Sequence, residues 1–307
     1  MSEVKAQFLS ALKARFTDVR KLENSRSLFE IRNDAARIYI RYSKMHKDGR
    51  TFFGLRKTDL RVLEGHAAFI CFLWDDQKEP LLLPYADYED IFNALQPADD
   101  GQYKIQVYCR DATELYIATA GRFNVDANFG WLELERVAEK GRSMDIPNLT
   151  HAQVQTLLGA IGLLKGYDLW IPQCDRERLD WSMARRFQCR ERVPEGYKKA
   201  QEILEQVDVV WIARGGNALR ALYEVEHSTT IYSGLLRFND VRLTSQKIER
   251  FAIVANEERR SVFSRQLNRP TFQASGLNET CAFLEYQDVY QWYQRLQGAK
   301  GAESVLL

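Results

Sequence analysis

The chain has 307 residues, enough to bury more than one core, and its 43 basic and 42 acidic side chains leave a net charge of +1, so no global field selects a polyanionic partner. With 45% apolar and 28% charged residues the composition is that of a soluble globular protein, and no apolar run approaches the ~20 residues of a membrane span. The N-terminus lacks a secretory apolar segment, and five scattered cysteines (Cys71, Cys109, Cys174, Cys189 and Cys281) and four dispersed histidines show no zinc-ligand spacing, so a cytoplasmic chain with reduced thiols is expected.

Val4, Phe8, Leu9, Leu12, Phe16 and Val19 recur close to every 3.6 residues and predict an amphipathic first helix. Strand patterns follow over 28–31, 37–42, 51–55, 67–74 and 80–83, then a short helix over 85–95 and strands over 103–109 and 114–118. In Arg37-Ile38-Tyr39-Ile40-Arg41-Tyr42 basic and apolar residues alternate, which predicts a sheet whose wet face is basic and partly aromatic. Together these segments read as an N-terminal α+β domain over 1–138. Lys47-Asp48-Gly49-Arg50 reads as a turn. Around it Arg41, Lys44, Lys47, Arg50 and Arg56, interleaved with Tyr39, Tyr42, Phe52 and Phe53, suit phosphate contacts and base stacking. The same pattern equally describes an aromatic core face backed by a solvated basic one, and Asp59, Glu64, Asp75 and Asp76 dilute the charge.

The charged, turn-rich stretch 139–149 is the expected linker, and a second domain over 150–307 opens behind it. Thr150 and Gln153 have the spacing of a capping box, Val154, Leu157, Leu158, Ile161 and Leu164 form one apolar stripe, and Gly166 is placed to end the helix. A strand over 167–172 is followed by a segment with Arg176, Arg178, Arg185, Arg186, Arg190 and Arg192, then by a helix over 195–206. After a hairpin come a helix capped from 228–230 and running through Ile231, Leu235, Leu236 and Phe238, a strand over 250–255, a helix over 257–267, a strand over 281–284 and a last helix over 287–296. The expected fold class is α/β, α+β overall, with a mixed C-terminal sheet flanked by helices.

The hairpin carries the chemistry. Val207-Asp208-Val209-Val210-Trp211 and Arg220-Ala221-Leu222-Tyr223-Glu224-Val225-Glu226-His227 read as two strands joined near Gly215 and Gly216. Residues two apart on a strand share a face, so Glu224 and Glu226 lie with Leu222, and pairing brings Asp208 toward them. Three carboxylates gathered on apolar strands repel one another and raise each other's pKa unless a cation neutralises them, and a bound divalent metal does so most simply. A Glu-X-Glu pair on a solvated edge strand is the competing explanation.

The order of elements, with an acid on one central strand and a Glu-X-acid pair on the next, resembles the PD-(D/E)XK nuclease superfamily, which includes many restriction endonucleases. The resemblance spans residues 148–296. It implies a restriction-endonuclease-like mixed sheet, Asp208 and Glu224 as ligands of Mg²⁺ (with Mn²⁺ able to substitute), and Asp208, Glu224 and Glu226 as catalytic residues. Glu226 stands where the family usually has Lys. A carboxylate there accepts a proton from water or holds a second ion, and Arg237 on the following helix is the first candidate to restore the missing positive charge.

His227 turns to the face opposite Glu226 and is expected to be hydrogen-bonded beneath the next helix. Tyr232 and Ser233 fit either substrate contact or helix packing, with Gly234 allowing close approach. The implied activity is that of a Mg²⁺-dependent DNA endonuclease of restriction or phage-defence type whose DNA-binding residues are Arg41, Lys44, Lys47, Arg50, Arg56 and Arg237, and double-strand cutting favours a homodimer. The departure at Glu226 keeps open a catalytically inactive DNA-binding or regulatory protein on the same scaffold. An RNA-directed or protein-interaction role for the N-terminal domain also stays open.

Overall fold

The computed structural model describes residues 2–22, 25–31, 36–143, 146–227, 230–245, 248 and 250–303. The fold is mixed α/β, with three sheets, two of them mixed and one antiparallel, flanked by helices. The chain divides into two compact units, Met1–Asp145 and Ile146–Leu307.

In chain order the first unit runs α1 (Glu3–Arg15), β1 (Val19–Lys21), β2 (Leu28–Ile31), β3 (Ala36–Tyr42), β4 (Arg50–Arg56), α2 (Lys57–Leu63), β5 (Ala68–Leu73), β6 (Leu81–Pro84), α3 (Glu89–Ala94), β7 (Gln102–Cys109), β8 (Thr113–Ile117), β9 (Gly121–Asn124) and α4 (Leu132–Ser143). One sheet has the order β1-β2-β3-β5-β6, the other β4-β7-β8-β9. Phe8 and Leu12 of α1 and Leu134 and Ala138 of α4 pack on one face of the first sheet, against Ile38, Ile40 and Phe69. The inner face of the second sheet closes the other side, where Phe53, Leu55, Ile105, Val107 and Leu115 meet Tyr39, Ile70 and Phe72.

That arrangement overturns the wet face expected of residues 37–42. β3 is the central strand, covered on both sides, and Arg37 is 5% exposed while Tyr39 is fully buried. Arg37 stays inside because its Nη1 donates to the Val62 main-chain oxygen at 2.7 Å and its Nη2 faces Glu30 at 3.5 Å. Phe53 is also core, and the Tyr42 hydroxyl donates to Asp75, so of the four aromatics interleaved with the basic residues Phe52 alone stands well exposed.

The second unit runs α5 (His151–Leu164), β10 (Asp168–Trp170), α6 (Gln173–Arg176), α7 (Gln201–Leu204), β11 (Val209–Ile212), β12 (Leu219–Val225), α8 (Ile231–Thr244), β13 (Arg250–Ala255), α9 (Arg260–Leu267), α10 (Pro270–Ala274), β14 (Cys281–Glu285) and α11 (Tyr286–Glu303). Its sheet follows the order β10-β11-β12-β13-β14, antiparallel through β12 and parallel from β12 onward. Helices α5 and α11 cover one face, α8, α9 and α10 the other.

Thr150 and Gln153 form the capping box at the start of α5, each side chain accepting from the other's backbone N–H, and Gly166 adopts φ +81° just past its end. Residues 139–143, read as linker, form the end of α4, and Met144 and Asp145 lie outside the described residues. So do Ser228 and Thr229; Thr230 is the N-cap residue of α8. The helix expected over 195–206 is only the single turn α7, because Pro194 and Gly196, the latter at φ +105°, break the chain before it. Of the basic cluster in 176–192, Arg176 donates to the Ile171 and Arg190 main-chain oxygens and Arg190 pairs with Asp168, while Arg185, Arg186 and Arg192 are exposed.

Gly162 of α5 sets how closely that helix approaches the sheet. A Cβ there would lie 2.5 Å from Trp211 Nε1 and 2.6 Å from Leu169 Cδ2. Gly162→Ala is therefore expected to cost about 1–3 kcal/mol by overpacking, despite alanine's better helix propensity, as a shift in the urea midpoint of unfolding at constant slope.

Candidate active site

The acids of the hairpin meet at one end of the second sheet. Val209 pairs with Tyr223, and the same antiparallel register carried one residue outward sets Asp208 opposite Glu224. Asp208 stands just before β11 rather than within it, and its Oδ2 accepts the Val225 N–H at 2.6 Å, a side-chain bond taking over where the ladder ends. Glu226 follows β12, and its N–H continues the parallel pairing by donating to the Val254 oxygen. Glu224 and Glu226 are each 1% exposed, so they are not a solvated edge face.

Glycine and arginine on α8 make room for them and compensate them. A Cβ on Gly234 would meet Glu226 Oε1 at 2.8 Å and the Glu224 Cβ at 3.3 Å, so a larger residue would push the helix off the carboxylates. One turn on, Arg237 closes a two-pronged pair on Glu224, its Nε and Nη2 donating to Oε1 and Oε2 at 2.7 Å each. Burial pushes the Asp208 carboxyl up to about 7, opposed by the Val225 N–H and reinforced by the charges of Asp175 and Glu226. Burial likewise pushes Glu224 up, opposed by its bonds to Arg237 and reinforced by Asp208.

The sequence reading missed three further members of this neighbourhood. Gln155 of α5 is 1% exposed, and its Nε2 donates to the Asp208 main-chain oxygen at 2.9 Å and to Asp175 Oδ2 at 3.2 Å. One turn earlier His151 brings its Nε2 to 3.9 Å from Asp208 Oδ1, and burial lowers its pKa. His151 and Gln155, spaced i and i+4 on one face of α5, were the available signal. His227 is exposed rather than tucked under α8. Its ring stacks on Tyr286, with Nδ1 3.5 Å from that hydroxyl.

Among the basic candidates, Arg237 is turned onto Glu224 and 28% exposed, while Lys44, Lys47 and Arg56 are exposed on the first unit. Arg50 is paired with Asp48, and Arg41 lies with its Cζ 5.7 Å over the Tyr39 ring.

A hard divalent cation takes oxygen donors, and buried carboxylates that repel one another suit it in kind. Each Glu224 oxygen has a lone pair beyond the one that Arg237 uses, so the clasp does not exhaust the ligand. In the arrangement seen, no group of three or more His, Cys, Asp or Glu among the described residues is gathered into a ready-made cage.

Comparison with known proteins gives a concordant result. Residues 135–304, more than half of the chain, match the family described as Type II restriction enzyme NmeDI C-terminal domain. The curated protein Type II restriction enzyme NmeDI of Neisseria meningitidis serogroup C is 29% identical over 154 residues, 47% of this chain and 42% of the relative. The match thus spans less than half of that relative's length. No solved structure matches.

Removing Arg237 leaves Glu224 buried without its bidentate counter-ion. Arg237→Met is expected to destabilise the fold by about 3 kcal/mol in urea unfolding, and Arg237→Met with Glu224→Leu to recover most of that loss, because the isolated buried charge rather than the missing pair carries the penalty.

Proposed function

The chain belongs to the Type II restriction enzyme NmeDI C-terminal domain family, and on that footing we propose that it is a divalent-metal-dependent DNA endonuclease of restriction or phage-defence type, with its catalytic centre at Asp208, Glu224 and Glu226. The observation that carries the reading is the burial of Glu224 and Glu226 at a strand end, with half-buried Asp208 beside them on the adjacent strand and an arginine clasped on Glu224. The run of α5, three strands, α8, two more strands and α11 supports the resemblance to the PD-(D/E)XK superfamily.

On this reading Asp208 and Glu224 hold Mg²⁺, or Mn²⁺ in its place. Bound there, the ion would supply charge to offset the phosphate and would lower the pKa of a coordinated water. The protein's own groups do the rest. Val225 N–H and Gln155 fix Asp208. Glu226 is placed to accept a proton, and Arg237 brings the permanent positive charge that a Lys at 226 would supply. One such site serves one strand, so cutting both strands calls for two copies of the chain.

A supercoiled plasmid tests the assignment. With Mg²⁺ or Mn²⁺ the protein is expected to nick it, and Glu224→Ala to abolish nicking while leaving DNA binding largely intact. DNA binding by wild type without nicking would instead support an inactive DNA-binding protein on this scaffold, a reading that rests on Glu226 standing where the family usually has Lys.

Ion binding and protonation compete at Asp208. Its folded pKa stands near 7 against an ordinary 3.8, so the folded state holds the proton more tightly than the unfolded chain, and the stability this contributes is lost as pH rises through 7. A cation bound to the ionised group reverses that loss. Added Mg²⁺ is expected to raise the melting temperature more at about pH 8 than at about pH 6, and an equal rise at both would remove Asp208 from the ligand set.

A further inference from the structure

The first unit carries a surface that the nuclease chemistry does not use. In the β4-β7-β8-β9 sheet, Thr51, Phe53, Leu55, Ile105, Val107, Leu115 and Ile117 face the core, so the alternate residues face solvent. The register lines these up across the strands. Arg50 lies opposite Tyr108, Phe52 opposite Gln106 and Arg56 opposite Gln102; Gln106 lies opposite Tyr116, and Tyr116 opposite Arg122.

Two features set this face apart from an ordinary solvated sheet. Phe52 on the edge strand β4 is 45% exposed, one of the few large apolar side chains left so open among the described residues. Around it aromatic rings and guanidinium groups alternate: Arg50 lies 5.6 Å from the Phe52 ring and 6.0 Å from Tyr108, and Arg122 lies 4.3 Å from Tyr108 and 6.0 Å from Tyr116. The outward strand positions hold Arg50, Arg56, Lys104 and Arg122 against the single carboxylate of Glu114, whereas the whole chain is nearly neutral. Asp48 and Asp100, in the flanking turns, pair with Arg50 and Lys104, and Glu114 holds Arg122 at 2.6 Å. These carboxylates fix the orientation of the cations along the strands.

We propose that this sheet face binds single-stranded DNA, with Phe52, Tyr108 and Tyr116 as stacking platforms and Arg50, Arg56, Lys104 and Arg122 along the phosphates. Duplex bases have both faces covered by their neighbours, so rings on an open sheet face stack only with bases that are unpaired or turned out of the helix, and Tyr108 and Tyr116, edge to face at 81°, would each take a separate base. Guanidinium planes laid over rings extend the same stacking surface. The row of cations matches a phosphate backbone whose phosphates take over from the carboxylates paired with Arg50, Lys104 and Arg122, and the rings match its bases. Choosing DNA over RNA rests on the nuclease reading; the surface itself does not.

Binding is measured on the full chain in EDTA, where no cleavage occurs, by fluorescence anisotropy of labelled oligothymidylate, an oligouridylate of equal length and a blunt duplex. Oligothymidylate is expected to bind more tightly than the RNA, and the duplex to bind independently of this face. Phe52→Ala with Tyr116→Ala is expected to weaken oligothymidylate binding at least about tenfold. Phe52→Trp should retain it, and Lys104→Glu should flatten its salt dependence. Unchanged far-UV circular dichroism of the variants separates loss of contact from loss of fold.

The proposal is overturned if oligothymidylate fails to bind, if the double alanine variant binds it as well as wild type, if that variant loses duplex binding to the same extent, or if RNA binds as tightly. The two readings fail separately. Nicking without oligothymidylate binding removes this surface alone, and binding without nicking removes the nuclease alone.

Discussion

Two carboxylates at 1% exposure, side by side on one strand end, are what the second unit is arranged around. Burying an ionised carboxylate costs several kcal/mol unless its lone pairs are met, and a second acid beside it adds repulsion. Glu224 is met by the Arg237 fork, and Asp208, the half-buried acid opposite it, by the Val225 N–H. Each of these partners depends on something else. Arg237 reaches Glu224 because Gly234 lets α8 settle against the strand, and Val225 N–H is available because the antiparallel ladder ends at Val209. The position of one helix and the end of one ladder follow from the need to accommodate the same charges.

The sheet supplies the reason why they gather there. Strands β12, β13 and β14 run parallel while β11 enters antiparallel, so the end where Asp208 begins is also the end where Glu226, Asn256 and Glu285 leave their strands. Loops at the carboxyl ends of parallel strands are where an α/β sheet places residues that must be both held and reachable. Arg259 donates to the Glu226 main-chain oxygen and Arg260 pairs with Glu285, so this rim carries cations interleaved with acids rather than a purely acidic surface.

How much of this was legible depended on whether the signal was local. The capping box at Thr150, the hairpin strands and the shared face of Glu224 and Glu226 follow from spacing alone, because caps and alternation involve neighbours within a few residues. What failed was decided by distant contacts. Arg37 and Tyr39 have the alternation of a half-exposed strand, but a strand in the middle of a sheet with helices on one face and another sheet on the other has no wet side. Gln155 was lost in the same way. It sits in an apolar stripe, and its two acceptors lie 20 and 53 residues further along the chain. The clasp of Arg237 was half visible: its position on α8 suggested a cation near the acids, but not that both prongs are turned onto Glu224.

Near-zero net charge conceals how the signs are distributed. On the outward face of the β4 sheet four cations line the strands, three of them paired with Asp48, Asp100 and Glu114, while Asp175, Asp208, Glu224 and Glu226 gather around one arginine in the second unit. A protein that acts on a polyanion by the route proposed above has opposed electrostatic needs: attraction along the backbone, and concentrated negative charge where a metal is to be held. Serving both on one surface would have acids repelling the phosphates that the cations attract. Placing them on separate sheets, one with an open face and one buried at its end, gives each need its own set of side chains. Such a chain is expected to look neutral by composition, and the charge pattern becomes readable only when residues are assigned to faces.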